Sequence, residues 1–526
     1  MTSTPVDVEM SKPSISRSTE AAKAPVVDKH SYRQILKSTA LIGGSSVVNI
    51  GFGIVRTKAM ALFLGPAGVG LMGMYGSIAD LTFSLAGMGI QSSGVRQIAE
   101  AVGSGERDRI ARTAVVLRRV TLLLGLAGAG LLIALSKPIA RFTFGGHQGT
   151  AGVVLLSLAV FLRLVSGGQV AFIQGMRRIA DIARMNVLAA LAGTVISIPL
   201  IYMFKERGVV PSLIAVAAVT TLSSWWYSRK ITIAKPPMAA SEVMREAGSL
   251  LKLGVAFMAS GFLTMGAAYA VRMIVLRGAG FEAAGLYQSA WALGGLYVAF
   301  ILQAMGSDFY PRLTAVADNN TECNRLVNEQ AQISFLLAGP GVIATLTLAP
   351  MVIALFYSAK FYPAVAILRW VSLGMTLRVV SWPMGFIVLA KGRQQIFFWT
   401  ELAATLVHVG LAWFLVSRFG LNGSGAAFFG LYLWHSLLIY SIVRRMTGFR
   451  WSDTNRSLGL VFLPLTAFVF VSFYVLPFWL ATTFGIAAVC LSSAYSIRTL
   501  LRLFPLESFP YPIRSWLPRL GLAEAQ

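Results

Sequence analysis

Two arginines stand in the middle of long apolar runs, set in nearly the same words: Ser157-Leu-Ala-Val-Phe-Leu-Arg163-Leu-Val-Ser166 and, 215 residues later, Ser372-Leu-Gly-Met-Thr-Leu-Arg378-Val-Val-Ser381. A charged group at the centre of a membrane-spanning helix costs from about 2.5 to about 17 kcal/mol, depending on the reference state, so it ordinarily faces water, a partner or a ligand. Accepting that cost at two matching places implies a duplicated membrane fold with a cationic interior, and such an interior suits an anionic cargo. Arg56, Lys58 and Arg272 fall nearer the ends of their runs, where a basic side chain either snorkels to the interface or lines the outer half of the same interior. Arg369, close to the end of its run, reads as an interfacial anchor.

Asp80 and Glu401 are the acidic residues set within apolar runs. Each either balances a nearby arginine or holds a coupling proton or sodium ion, because burial raises a carboxyl pKa. Gln91, Gln169 and Gln303 have the chemistry to bond sugar hydroxyls, although amides in membrane helices also tie one helix to another. Trp291, Tyr297 and Trp382 offer rings on which a sugar can stack, or simply pack.

These residues need long apolar elements to hold them. With 526 residues, 56% of them hydrophobic and only 13% charged, the chain is a polytopic membrane protein. Runs of about 20 apolar residues, the length that crosses the hydrocarbon core, fall near 36–62, 69–94, 114–136, 151–174, 186–204, 209–227, 250–276, 284–306, 331–356, 363–390, 396–416, 424–443, 458–476 and 478–497, fourteen in all. The net charge of +24 is not a nucleic-acid footprint. With the N-terminus in the cytoplasm, inside segments hold 32 Lys and Arg and outside segments hold 7, a positive-inside asymmetry that puts both termini in the cytoplasm.

The 215-residue echo extends beyond one decapeptide. Lys37 meets Lys252, Gly70-Leu71 meets Gly285-Leu286, and the turn Gly65-Pro-Ala-Gly68 corresponds to Gly278-Ala-Gly-Phe281. The expected organisation is a disordered cytoplasmic tail at 1–34, a six-helix lobe at 35–228, a cytoplasmic linker at 229–249, a second six-helix lobe at 250–445, an additional helix pair at 446–497 and a cytoplasmic tail at 498–526. Six is even, so both lobes enter from the same side and an axis along the membrane normal relates them, with the cargo site between them. Ser241-Glu-Val-Met-Arg-Glu in the linker resembles a helix start.

Other chemistries lack their signatures. The chain has no G-x-x-x-x-G-K-[ST], no H-E-x-x-H and no G-x-S-x-G. Cys323 and Cys490 give no disulfide framework, and the four histidines have no metal-ligand spacing. The external connections are short, so the sequence argues for moving a substrate and not for cutting or joining one. No resident cofactor is expected.

Leu64-Gly-Pro-Ala-Gly-Val-Gly-Leu71, followed by Leu85-Ala-Gly-Met-Gly-Ile90 and Gly94-Val-Arg-Gln-Ile-Ala99, resembles the first helical hairpin of Wzx-type flippases of the MATE/MOP superfamily. The stretch from Leu389-Ala-Lys-Gly392 to Thr400-Glu401 is similar to the same family, and the similarity spans about residues 30–445. The resemblance implies a bacterial inner-membrane protein that carries an undecaprenyl-diphosphate-linked oligosaccharide, a unit of O-antigen or enterobacterial common antigen, from the cytoplasmic to the periplasmic leaflet. Its implied partners are the bilayer, the lipid-linked cargo, and polysaccharide polymerase and chain-length proteins. Lys58, Arg272, Arg378 and Glu401 lie where family members carry like-charged residues, whereas at the position of Asp80 a polar uncharged residue would do. Twelve spans are usual in the family, and the extra pair resembles that of lipid II flippases. Two other readings stay open on the residues alone: an ion-coupled exporter of small amphiphilic molecules, and a non-transporting scaffold of polysaccharide assembly.

Overall fold

The computed structural model describes residues 29–146, 149–233, 236–305 and 309–503. The tail expected to be disordered lies almost wholly outside the described residues, as does the C-terminal tail beyond Leu503. Among the described residues every regular element is helical: α1 (Lys29–Gly87), α2 (Ile90–Ser104), α3 (Arg107–Ala134), α4 (Ser136–Phe144), α5 (Thr150–Gly175), α6 (Ile179–Phe204), α7 (Val209–Arg229), α8 (Ala240–Ala304), α9 (Tyr310–Ala315), α10 (Asn320–Thr347), α11 (Ala349–Phe356), α12 (Ala364–Ala390), α13 (Gln394–Phe419), α14 (Leu421–Thr447), α15 (Asp453–Val475) and α16 (Phe478–Leu503), with short 3-10 turns between. In hydrocarbon a backbone must satisfy its own hydrogen bonds, and a helix does so within one segment.

The expected fourteen spans do not appear as fourteen separate helices. Among the described residues ten helical segments are long and apolar enough to cross a membrane, or eleven when α10 and α11, bent by 79°, count as one. Three of them, Val48–Gly87, Ile179–Arg229 and Gly261–Ala299, run 40, 51 and 39 residues. Each carries expected spans in pairs, because the connection is so short that helical hydrogen bonding resumes at once. In α1 the interruption is Gly65 (φ 66°, ψ −174°), followed by Pro66, which has no N–H to donate. In α8 it is Gly280 (φ 86°, ψ 178°), 215 residues on. Only glycine adopts this conformation without strain. Between α6 and α7 the interruption is the Lys205–Gly208 3-10 turn.

The helices pack as two groups. In the first, α3 and α7 flank α5, and α6 packs between α1 and α7. In the second, α12 lies against α10 and α14, with α13 against α8 and α14. Separate apolar cores form in each, one around Leu156, Val160 and Leu164 and one around Ile367, Val371 and Met375. The groups meet along α1 and α8. The additional pair α15–α16 packs on α10, with its own core around Phe335, Ile343, Phe462 and Val469. α7 continues to Arg229 and α8 begins at Ala240, so the helix start read at Ser241 falls in the first turn of α8. Leucines at 123, 126, 406, 437, 460 and 491 stay exposed on the helix exteriors, the arrangement of a lipid-facing surface.

Candidate functional site

The half of α1 beyond Gly65 runs down the middle of the molecule and collects two arginines, one from each helix group. Arg163, on α5, donates from Nη2 to Asp80 Oδ1 at 2.7 Å. Its guanidinium also lies 5.2 Å from the ring centre of Phe83. Arg272, on α8, donates from Nη1 to Ser77 Oγ at 2.7 Å and from Nε to Gln288 Oε1 at 2.8 Å. Ser77 and Asp80 are three residues apart, which places them on neighbouring faces of one helical turn. Two guanidiniums against one carboxylate leave this centre with net positive charge.

A cavity of about 380 Å³ opens beside it, lined in part by Asp80, Arg163, Ser84, Gln91 and, from α8, Met258 and Met265. The cavity sits between two close approaches of α1 and α8. At the end where both helices break, a Cβ on Gly70 would lie 2.3 Å from the Phe281 carbonyl oxygen, and one on Gly285 would lie 1.8 Å from that of Pro66. At the other end, towards the linker, a Cβ on Gly89 would lie 2.1 Å from the Gly254 oxygen, and one on Gly254 2.2 Å from that of Met88. Small residues that let backbones touch are the usual means of tight packing in lipid.

Polar contacts reinforce both closures. At the break end Lys58 Nζ donates to the Ala354 carbonyl, which lies near the C-terminus of α11, where carbonyls have no helical acceptor role left and carry negative dipole charge. Arg277 donates to the Phe142 carbonyl and stacks on that ring, and Tyr269 shares a 2.7 Å hydrogen bond with Thr143. At the linker end Arg112 and Glu246 are 3.8 Å apart, and Gln97 donates to Ser249 at 3.4 Å. All of these cross from one helix group to the other.

The remaining candidates are scattered. Arg56 is half-buried and makes no hydrogen bond or ion pair among the described residues. Lys58 ties the groups together and does not line the cavity described above. Gln91 lines the cavity, whereas Gln169 accepts a hydrogen bond from Ser224 of α7 at 2.5 Å and serves as an interhelical tie. The side chain of Gln303 lies outside the described residues. Arg378 is not part of the cavity lining: its guanidinium stacks 4.5 Å from the Trp382 ring and 5.6 Å from that of Tyr432, and its Nε is buried without a partner. Glu401 is close enough for its charge to act on Arg378 without a direct ion pair. Trp291 packs edge-on against Phe428, and Tyr297 donates to the Leu337 carbonyl. Among the described residues no group of His, Cys, Asp and Glu has the arrangement of a metal site.

Ser77 and Gln288 were not singled out by the sequence, yet they hold Arg272. A serine inside an apolar run carries little signal. Gln288 carries one in retrospect, because Gly73 leaves the room it occupies: a Cβ there would lie 3.3 Å from the Gln288 side chain.

A family model described as "Polysaccharide biosynthesis protein" matches residues 59–366. The lipid III flippases of Escherichia coli (strain K12) and Shigella flexneri are each 22% identical to this chain over 414 residues, covering 76% of it and 95% of those proteins. Among solved structures, the lipid II flippase MurJ in an inward closed conformation superposes with a TM-score of 0.63 at 13% identity, covering 89% of this chain and all of that one. An inward-facing multidrug resistance MATE family transporter of the MOP superfamily gives 0.62 at 17% identity, covering 76% of this chain and 98% of the transporter. At these identities the structural likeness is one of fold.

Proposed function

The chain belongs to the family of polysaccharide biosynthesis proteins, and from that premise we propose that it is a flippase, carrying an undecaprenyl-diphosphate-linked oligosaccharide from the cytoplasmic to the periplasmic leaflet of a bacterial inner membrane by alternating access. Both termini would lie in the cytoplasm, which makes the linker end the cytoplasmic one. The observation that carries the reading is the pairing of Arg163 and Arg272 on one turn of α1, each from a different helix group, with Arg163 lining the cavity and Arg272 held outside its lining by Ser77 and Gln288. A diphosphate accepts hydrogen bonds from guanidinium in a bidentate fork, and charge-assisted bonds of this kind are the strong ones. Cargo oxygens would replace Asp80 and Ser77 as acceptors. Because the two arginines ride on different groups, rocking the groups apart changes their spacing and weakens the grip, which is what release requires. The polyprenyl tail stays in lipid throughout, and no bond of the cargo is made or broken.

Asp80 and Glu401 are the carboxylates available to a coupling proton or sodium ion. The reading is supported further by the similar proteins, which are named a lipid III flippase and a lipid II flippase. The test is in cells: Arg163→Ala with Arg272→Ala, with membrane insertion verified, is expected to abolish surface polysaccharide and to leave the lipid-linked oligosaccharide accumulating on the cytoplasmic leaflet. Normal export by that variant would overturn the proposal.

A further inference from the structure

A second cavity, of about 330 Å³, lies on the linker side of the closure of Gly89 on Gly254. Its wall is built from Arg96, Gln97 and Glu100 of α2, Arg109 and Thr113 of α3, and Glu246 and Ser249 near the start of α8, so both helix groups contribute to it. Thr113 is only 4% exposed, yet it lines the cavity and its side chain makes no hydrogen bond among the described residues. Arg96 Nε donates to Glu100 Oε1 at 2.8 Å. Glu100 Oε2, however, is 3.9 Å from Arg109, and the Glu246 carboxylate is 3.8 Å from Arg112, both beyond hydrogen-bond length. Gln97 reaches from one helix group to the other, donating to Ser249 at 3.4 Å.

The chemistry of this wall differs from that of the central cavity. Its two arginines and two glutamates cancel, and the residues that pair with them from outside the wall, Arg112 and Glu106, cancel as well. A diphosphate gains nothing from a wall without net charge, whereas at Arg163 and Arg272 it meets an excess of positive charge. What the wall offers is a mixture: guanidiniums and an amide N–H that donate, carboxylates that accept, and hydroxyls that do both. A sugar ring carries several hydroxyls on one small surface, each able to donate and accept, so it satisfies such a set where a single ion cannot. A concave site with a few convergent polar groups is the usual form of a small-ligand pocket. The two cavities also share α2: Gln91 lines the central one and Gln97 this one, six residues or about 9 Å apart along the helix axis. A hydroxyl-binding wall outside the closure and a cationic centre inside it match the two parts of a head group made of sugar and diphosphate.

We propose that this second cavity binds the saccharide part of the lipid-linked cargo through its hydroxyls, at the cytoplasmic mouth and while the closure of Gly89 on Gly254 is still shut. The inference rests on the flippase reading and adds to it the place where the sugar is read. The probe is the oligosaccharide cleaved by mild acid from the polyprenyl-diphosphate pool of the native cells, titrated calorimetrically into the full-length protein in nanodiscs, with glycan-free polyprenyl diphosphate titrated in parallel. The parent protein is expected to bind both. Thr113→Val keeps the shape of the side chain and removes its hydroxyl, and Glu100→Gln changes an exposed residue that the fold does not need. Each is expected to weaken binding of the free saccharide at least fivefold and to leave polyprenyl diphosphate within twofold of the parent, while Arg163→Ala is expected to do the reverse. Binding of polyprenyl diphosphate without the free saccharide, saccharide affinity unchanged in both variants, or displacement of the saccharide by inorganic phosphate would overturn this inference and leave the flippase reading standing. Binding of neither ligand by the parent protein would overturn both.

Discussion

Asp80 is within 2.7 Å of Arg163, and removing it separates two roles that the pair could have. Two unit charges about 4 Å apart attract by about 4 kcal/mol at an effective dielectric constant of about 20. Both side chains, however, are open to the cavity, at 38% and 43% exposed, so water screens the pair, and ion pairs of this kind are worth about 0.2–1 kcal/mol. Asp80→Asn should then lower stability by less than about 1 kcal/mol. It frees Arg163 for the cargo, so affinity for a short polyprenyl-diphosphate sugar should stay level or rise by up to about fivefold. Arg163→Ala instead removes a charged hydrogen bond worth about 1.5–3 kcal/mol, a loss of about 10- to 150-fold in affinity. Binding to the purified protein, read by fluorescence anisotropy with a labelled cargo analogue, checks both, and the double variant should bind like Arg163→Ala alone. Equal loss of affinity in Asp80→Asn and Arg163→Ala would refute the reasoning, since Asp80 would then contact the cargo and not merely neutralise its receptor.

Gly70→Ala or Gly285→Ala should prevent the two helices from closing at the break end, because the new carbon would lie 2.3 or 1.8 Å from a backbone oxygen; transport should fall while insertion persists, and Gly76→Ala, with nothing within 4 Å, should be neutral in the same assay. Lys58→Ala should raise the reactivity of a cysteine placed near Gly70 towards a water-soluble maleimide, with a stability change of about 1 kcal/mol, as the tie to Ala354 is lost. Arg378→Ala should act on the fold more than on the cargo, costing about 2 kcal/mol of stability from the lost stacking on Trp382 and Tyr432 with a cargo affinity within about threefold of the parent.

The helices were legible in the sequence because apolar length alone specifies a membrane helix. The break at Gly65 was legible too, since a Gly-Pro pair can do little else there. What the repeat could not give was the partners of its arginines. At the 215-residue interval the counterpart of Asp80 is Gly295, so Arg378 finds no carboxylate where Arg163 has one. The counterpart of Trp382 is Gly167, which borders the cavity, so Arg163 has open space where Arg378 has a ring. One local sequence thus sits in two environments, and the difference lies in residues that single-strand reading has no reason to weigh. Arg369 shows the same limit: its position near a helix end suggested an interfacial anchor, and nothing in the local sequence signals its stacking on the Phe473 ring of α15.

The central claim is that this cavity moves a lipid-linked diphosphate sugar across a bilayer. Purified protein in liposomes loaded with a short polyprenyl-diphosphate oligosaccharide, with an external glycosidase reporting how much sugar is accessible, measures it directly. The account predicts that accessibility rises beyond the outer-leaflet half at a rate set by the protein, and that Arg163→Ala with Arg272→Ala returns it to the level of empty liposomes. Accessibility that stops at half with the parent protein, or rises equally with the double variant, would contradict it.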